Sequence, residues 1–220
     1  MQLTTVIFDI DGLLVDSEPL WNEAAAEVFR LYGVNLTEEQ YKTTTGLRTK
    51  EFVQWWFSYY NIGNGELASA EEKIVQLVLE KIEHKGKIMP GVPYIFDFFA
   101  KRDFRIGLAT SSPPALIELV VQMTGIKNYL HATSSAEGLL FGKPHPQVYL
   151  NCAELLGCPP VECICFEDSF NGLISAKAAR MKCVIVPHAS QLKDDRWGAA
   201  DLKLSSLQNF GELHFNLLNS

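Results

Sequence analysis

Two carboxylates separated by one residue, Asp9 and Asp11, stand immediately before Gly12 at the end of the apolar run Leu3–Phe8. The run is short, rich in β-branched and aromatic residues and bounded by turn formers, which predicts a buried β-strand. Side chains two residues apart on an extended chain point the same way. Asp9 and Asp11 therefore leave the strand end together, and Gly12 lets the backbone turn there. Two like charges that close are costly unless a cation lies between them or one carboxyl stays protonated. The pattern suits a divalent metal and a nucleophile working beside a general acid/base. Taken alone, it suits an acidic turn about as well.

Three later segments bear on that choice. Thr110-Ser111-Ser112 follow the predicted strand Arg105–Ala109, Lys143 sits in Gly142-Lys143-Pro144-His145-Pro146 ahead of a predicted helix, and Glu167-Asp168-Ser169 follow the predicted strand Cys163–Phe166. Each has an ordinary explanation taken singly: a helix-capping pair, a loop lysine, a helix-starting acidic cluster. Their joint placement does not. In a parallel sheet all these strand ends lie along one edge, where ligands bind.

Together the four segments supply the parts of a phosphoryl-transfer site. Asp9 can attack phosphorus, and Asp11 can protonate the leaving oxygen and later activate water. The Thr110 hydroxyl and the Ser111 backbone N–H can bind phosphoryl oxygens near a helix N-terminus. Lys143 offers a compact positive charge to phosphate and nucleophile. With Asp9 and Asp11, Glu167 and Asp168 complete an oxygen-rich metal site, which suits Mg²⁺ better than zinc.

The elements that must position these residues form two textures. From Ser17 to about Lys85 no strand signal occurs, and helices are predicted over Asp16–Leu31, Glu38–Thr44, Thr49–Tyr60 and Ala68–His84, the last with Ser69 and Glu72 as a capping box. Beyond the break at Gly86–Gly91, strands and helices alternate. Strands are predicted at Arg105–Thr110, Ala132–Ser134, Cys163–Glu167, Val184–Pro187 and Leu202–Leu204, and helices at Pro114–Thr124, Pro146–Leu156 and Gly172–Ala179. Repeated βα units imply a parallel sheet covered on both faces. The expected fold class is therefore α/β, with a Rossmann-like catalytic core at residues 1–16 and 86–220 and an inserted all-helical cap at 17–85.

Composition narrows the partners. The 220-residue chain is long enough to bury a sizeable core, and its net charge of −7 argues against general nucleic-acid or membrane-surface binding. No basic N-terminal stretch leads into a long apolar segment, so a cytoplasmic monomer with no membrane partner is expected. The odd count of five cysteines favours free, buried thiols.

These residues carry a resemblance. The chain is similar to the haloacid dehalogenase-like hydrolase superfamily, in its helical-cap phosphatase branch, over nearly its whole length. Asp9-x-Asp11-Gly12 resembles the first motif, Thr110 the second, Lys143 the third and Glu167-Asp168 the fourth. Asp9–Leu20, Gly142–Leu150 and Lys177–Met181 resemble the bacterial hexitol phosphatase and 2-deoxyglucose-6-phosphate phosphatase group. The resemblance implies Mg²⁺ dependence and hydrolysis of small phosphorylated sugars or sugar alcohols, a small-molecule phosphomonoester being the expected partner. Arg180 departs from the pattern, since many relatives carry glycine there. Dehalogenase relatives lack the second aspartate, so Asp11 argues against that chemistry. The alternative is a phosphosugar mutase of the β-phosphoglucomutase type, whose members carry a histidine where Trp21 stands. Substrate choice is expected to rest with the cap, through Glu18, Trp21 and Arg48, because a sugar wants a carboxylate, an aromatic face and a guanidinium in one cleft.

Overall fold

A six-stranded, wholly parallel sheet organises the protein in a computed structural model that describes residues 2–220. Its strands are β1 (Thr5–Phe8), β2 (Arg105–Thr110), β3 (Ala132–Ser135), β4 (Cys163–Glu167), β5 (Lys182–Ile185) and β6 (Leu202–Lys203), in the spatial order β3-β2-β1-β4-β5-β6. β1 lies between β2 and β4, with Phe8 opposite both Leu108 and Phe166. All four of its residues, Thr5 included, are buried, as befits a strand covered on both faces. The chain runs outward from β1 in both directions, which opens a crevice at the carboxyl ends of the central strands.

Aromatic packing fixes one face of the sheet. Phe8 stacks between Phe96 and Phe166 at centroid separations of 4.7 and 5.1 Å, and Phe99 meets both Phe8 and Phe166 edge-on. Phe96 and Phe99 come from helix α5 (Val92–Ala100), which sequence patterning did not reveal. Its buried face carries Val92, Ile95, Phe96 and Phe99, while Pro93 and Tyr94 are exposed, so the helical stripe is present in a short and mostly apolar segment that begins directly after Pro90-Gly91. The opposite face packs Ile7, Tyr149, Cys165, Leu173 and Met181. All five cysteines are free.

Four helices lie between β1 and α5: α1 (Glu18–Arg30), α2 (Glu38–Thr44), α3 (Thr49–Tyr59) and α4 (Leu67–Lys85). The two chain segments that lead into and out of this helical insertion zip together. Asp16 N–H donates to Lys87 O at 2.9 Å, and Met89 N–H donates to Leu14 O at 3.0 Å. The anticipated capping box at Ser69–Glu72 is not formed, because a 3₁₀ turn at Asn64–Glu66 starts α4 earlier and leaves Ser69 inside its first turn. A capping box instead joins Thr37 and Gln40 at the start of α2. Helices α6 (Pro114–Thr124), α7 (Gln147–Leu155) and α8 (Phe170–Ala178) follow β2, β3 and β4, and a further helix, α9 (Glu212–Asn219), ends the fold. Arg180 has φ 66°, the left-handed conformation for which glycine is the low-cost residue.

Phe8 is the centre of the aromatic layer and fully buried. Phe8→Ala should therefore cost about 3–5 kcal/mol in urea unfolding, and a loss under 1 kcal/mol would show that the layer repacks.

Candidate active site

The sheet delivers Asp9, Thr110 and Glu167 to one edge. Asp9 follows β1, and its backbone N–H donates to Phe166 O at 3.0 Å, which extends the β1–β4 ladder to that residue. Lys143 arrives from the loop between β3 and α7. Its ammonium lies 2.8 Å from Asp9 Oδ1 and 2.5 Å from Glu167 Oε1, with only 1% of the residue exposed. Tyr149, in the first turn of α7, donates its hydroxyl to Glu167 Oε1 at 2.5 Å. The other oxygen of Glu167 accepts from the N–H groups of Asp168 and Ser169 and from the Ser169 hydroxyl. Glu167 is thus committed to holding Lys143 and the turn after β4. Burial is the main force acting on Asp9, and with the nearby Glu167 it raises that carboxyl from 3.8 to about 7 against the opposing pull of Lys143.

Asp11 is held from two sides. Its Oδ1 accepts from Ser17 Oγ and Trp21 Nε1, both at 2.7 Å, and its Oδ2 accepts from Ser112 Oγ at 2.5 Å. Ser17 and Trp21 belong to the start of α1 and Ser112 to the turn after β2, so this carboxylate joins the helical insertion to the sheet. Trp21 also lines the cavity, as anticipated, but its polar edge is turned to Asp11. Ser17 and Ser112 were not singled out from sequence. Each reads as an ordinary helix-proximal serine until the fold brings it to Asp11.

A cavity of about 760 Å³, counted with its solvent-open mouth, extends from Asp9, Asp11 and Asp168 past Thr110, Ser111 and Ser112 into the helical insertion. Glu18, Trp21 and Asn22 of α1 form one wall, and Phe52 and Ile74 contribute from α3 and α4. Burial pushes the Glu18 carboxyl above its ordinary range. The Thr110 hydroxyl accepts from Ser112 N–H at 3.0 Å, and the Ser111 hydroxyl donates to Gly46 O at 2.7 Å.

Arg48 corrects the sequence-based expectation. It does not line the cavity; its guanidinium turns away, donating to the carbonyls of Ala136, Leu139 and Leu140 and pairing with Glu51 at 2.6 Å. Satisfying several backbone carbonyls of the loop after β3 is what draws the planar, multiply donating group there. Asn171 Nδ2 donates to Thr45 O at 2.8 Å beside it. Gly46, at φ 85°, lets the loop between α2 and α3 sit against Ser169, where a Cβ would come within 2.5 Å of its hydroxyl.

One oxygen from each of Asp9, Glu167 and Asp168 can be chosen so that all lie within 4.8 Å of one another. Three hard oxygen donors, two of which (from Asp9 and Asp168) face the cavity, fit a Mg²⁺-sized cation. Gly12 (φ 70°) belongs to this cradle, since a Cβ there would land on the Asp168 carboxylate. The Asp11 carboxylate is not part of this side-chain cluster, because its three donors turn it toward α1 and β2; the expectation for Asp11 in the metal set concerns its backbone carbonyl. Burial, reinforced by Glu18 and Asp9, drives the Asp168 carboxyl well above its ordinary value.

Two outcomes follow from this geometry. A carboxyl whose folded value lies above its unfolded one binds more protons in the native state, so stability falls as pH rises from 3.8 toward about 7. Chelated protein should therefore melt lower at about pH 8 than at about pH 5, and Mg²⁺ should raise the midpoint more at the higher pH; equal shifts would discount the carboxylate cluster. Arg48→Ala should lower stability by about 2–4 kcal/mol and speed proteolysis within residues 44–49, whereas unchanged cleavage would remove Arg48 as the clasp.

The comparisons agree with this geometry. The haloacid dehalogenase-like hydrolase family matches residues 3–180. Hexitol phosphatase B of Escherichia coli (strain K12) is 38% identical over 207 residues, covering 94% of this chain and 93% of that protein. The fructose-1-phosphate phosphatase YqaB of the same strain is 29% identical, covering 82% and 95%. Among solved structures, a β-phosphoglucomutase from Clostridium difficile superposes with a TM-score of 0.87 at 20% identity, covering 99% and 97%, which is a likeness of fold. The buried Asp9–Lys143–Glu167 group at the sheet edge, together with these matches, identifies the chain as a phosphatase belonging to the haloacid dehalogenase-like hydrolase family.

Proposed function

We propose that the protein is a Mg²⁺-dependent phosphomonoester hydrolase that acts on small phosphorylated sugars or sugar alcohols through an aspartyl-phosphate at Asp9. The observation that carries the reading is the opposed pair at the cavity floor. Asp9 is held by Lys143, and Asp11 stands beside it in a cradle of three donors. The same reading takes 17–85 as the cap and 1–16 with 86–220 as the catalytic core.

In the first half-reaction a carboxylate oxygen of Asp9 attacks phosphorus while the bond to the leaving oxygen breaks. Asp11, entering this step protonated, passes its proton to that oxygen, and the alcohol departs. In the second, Asp11 takes a proton from water as the water attacks the phosphorus of the acyl phosphate. Inorganic phosphate and the Asp9 carboxylate are released, and Asp11 is protonated again. Lys143 keeps Asp9 in place and offsets its charge, and Glu167 with Tyr149 keeps Lys143 in place. The Thr110 hydroxyl and Ser111 N–H are assigned to the phosphoryl oxygens. A bound Mg²⁺, held by Asp9 and Asp168 with Glu167 behind them, would neutralise the crowded carboxylates and the incoming phosphate.

The hexitol and fructose-1-phosphate phosphatases among the relatives support the substrate class. Trp21 stands where the mutases of this family carry a histidine, and its indole N–H cannot itself shuttle a proton. Hydrolysis is therefore preferred to mutase chemistry. Asp9→Asn should retain the fold and lower Mg²⁺-dependent phosphate release by at least about 10³-fold. Near-normal release would overturn the mechanism, and isomerised sugar phosphate in place of free phosphate from the unaltered protein would favour a mutase.

A further inference from the structure

The proposed chemistry uses none of the five cysteines, yet the fold brings two of them together. Helix α7 ends in a reversal in which Gly157 (φ 64°) takes the left-handed conformation and Cys158 N–H donates to Ala153 O at 3.1 Å. Pro159 and a short 3₁₀ turn at Pro160–Glu162 then return the chain to β4, whose first residue is Cys163. This return is pinned. Glu162 N–H donates to Pro159 O at 3.0 Å, and Glu162 O accepts from Thr4 N–H at 3.1 Å, just ahead of β1. The connection sets Cys158 Sγ 3.3 Å from Cys163 Sγ.

The two thiols differ in access. Cys158 is partly exposed, whereas Cys163 is buried, and burial, reinforced by Cys158, raises the Cys163 thiol. The remaining three cysteines are fully buried. Cys152 Sγ donates to Leu108 O at 3.4 Å, and Cys165 Sγ lies 3.1 Å from Met181 Sδ. A reagent in solution therefore meets Cys158 first and finds Cys163 directly behind it.

We propose that Cys158 and Cys163 form a reversible disulfide, made by exchange with a low-molecular-weight disulfide, that staples the end of α7 to the start of β4. The Cys158 thiolate attacks one sulfur of the reagent RS–SR, breaks that S–S bond and releases RS⁻, leaving a mixed disulfide on Cys158. Cys163 then loses its proton to solvent and attacks the Cys158 sulfur, which expels the second RS⁻. Each RS⁻ takes up a proton. The cysteine pair thus loses two electrons, and the reagent gains them as two RSH. Bond formation requires a sulfur separation of about 2.05 Å, about 1.3 Å less than the present 3.3 Å, a closure within reach of side-chain rotation.

The staple has a counterpart on the same two elements. Tyr149, in the first turn of α7, bonds Glu167 at the end of β4 at 2.5 Å. One pair joins the start of α7 to the end of β4, and the other joins the end of α7 to the start of β4. Oxidation therefore fixes at both ends the unit that carries Tyr149 and Glu167. It also converts the accessible thiol into a form protected from irreversible oxidation.

The test incubates the whole protein with oxidised glutathione at about pH 8, where thiolate is available for exchange, and maps the sulfurs after acid quenching. Cleavage after Glu154 and Glu162 puts Cys152, Cys158 and Cys163 on separate peptides. The expected product has lost two of its five thiols, carries no glutathione and links the Cys158 peptide to the Cys163 peptide. Fragmentation of the linked peptides assigns the bond to Cys163 rather than Cys165 without any variant. Cys163→Ser, or Cys163→Ala where serine is not tolerated, should instead hold one glutathione on Cys158 as a stable adduct. The oxidised protein should melt at least about 2 °C higher than the reduced one, and dithiothreitol should return the midpoint. Five free thiols after prolonged exposure, a stable glutathione adduct on Cys158 of the unaltered protein, or a bond from Cys158 to any other cysteine would each overturn the inference. An unmoved or lowered midpoint in the crosslinked protein would refute the staple.

Discussion

A buried lysine shared by two carboxylates is the interaction on which the structure turns. Lys143 carries one positive charge into a space with Asp9 and Glu167, and the opposing charges within 2.8 Å raise its affinity for a proton despite burial. An unpaired charge at this depth would be prohibitively costly, so each of the three groups is tolerable only with an opposite charge beside it. Asp168 adds a further carboxyl that burial pushes toward neutrality. The cluster is thus short of positive charge by construction. That shortfall is what a divalent cation and a tetrahedral phosphoryl group bound together would exploit.

The sheet brings that cluster together. β1 enters the centre of the fold, its neighbours β2 and β4 come from distant parts of the chain, and the three end at one level. Phenylalanines from α5 and β4 lock Phe8 in place, which sets where Asp9 begins. The helical insertion is anchored to this edge by bonds that converge on the site. Ser17 and Trp21 reach Asp11, Asn171 reaches Thr45, Ser111 reaches Gly46, and Arg48 grips the loop preceding Lys143. The residues that would do chemistry and the residues that hold the insertion closed are consequently interleaved along the same turns.

Most of the core fold was legible because its signals are local. Strands such as Arg105–Thr110 and Cys163–Glu167 announce themselves as apolar runs between turn formers, and the β1 aspartates, Thr110 and Glu167-Asp168 fall at their ends, while Lys143 lies in the loop ahead of α7. What was missed has a common cause. Helix α5 is short and mostly apolar, with Asp97 its one charged residue, so its period is faintly marked. Ser69 looks like a cap, yet the 3₁₀ turn before it begins the helix first. Ser17, Ser112 and Tyr149 have unremarkable sequence surroundings, and their importance is a matter of what they touch across the fold.

The sequence by itself determined the class of structure and pointed to the groups that the sheet edge brings together, since periodicity, turn residues and paired carboxylates are properties of neighbours along the chain. Only the tertiary structure decided how those groups are used. Arg48 and Trp21 both occupy positions from which a side chain could reach a substrate. The loop carbonyls at Ala136, Leu139 and Leu140 drew Arg48 away, and Asp11 drew the indole N–H of Trp21. A buried donor goes to the acceptor that most fully replaces water, and those acceptors come from segments dozens of residues distant.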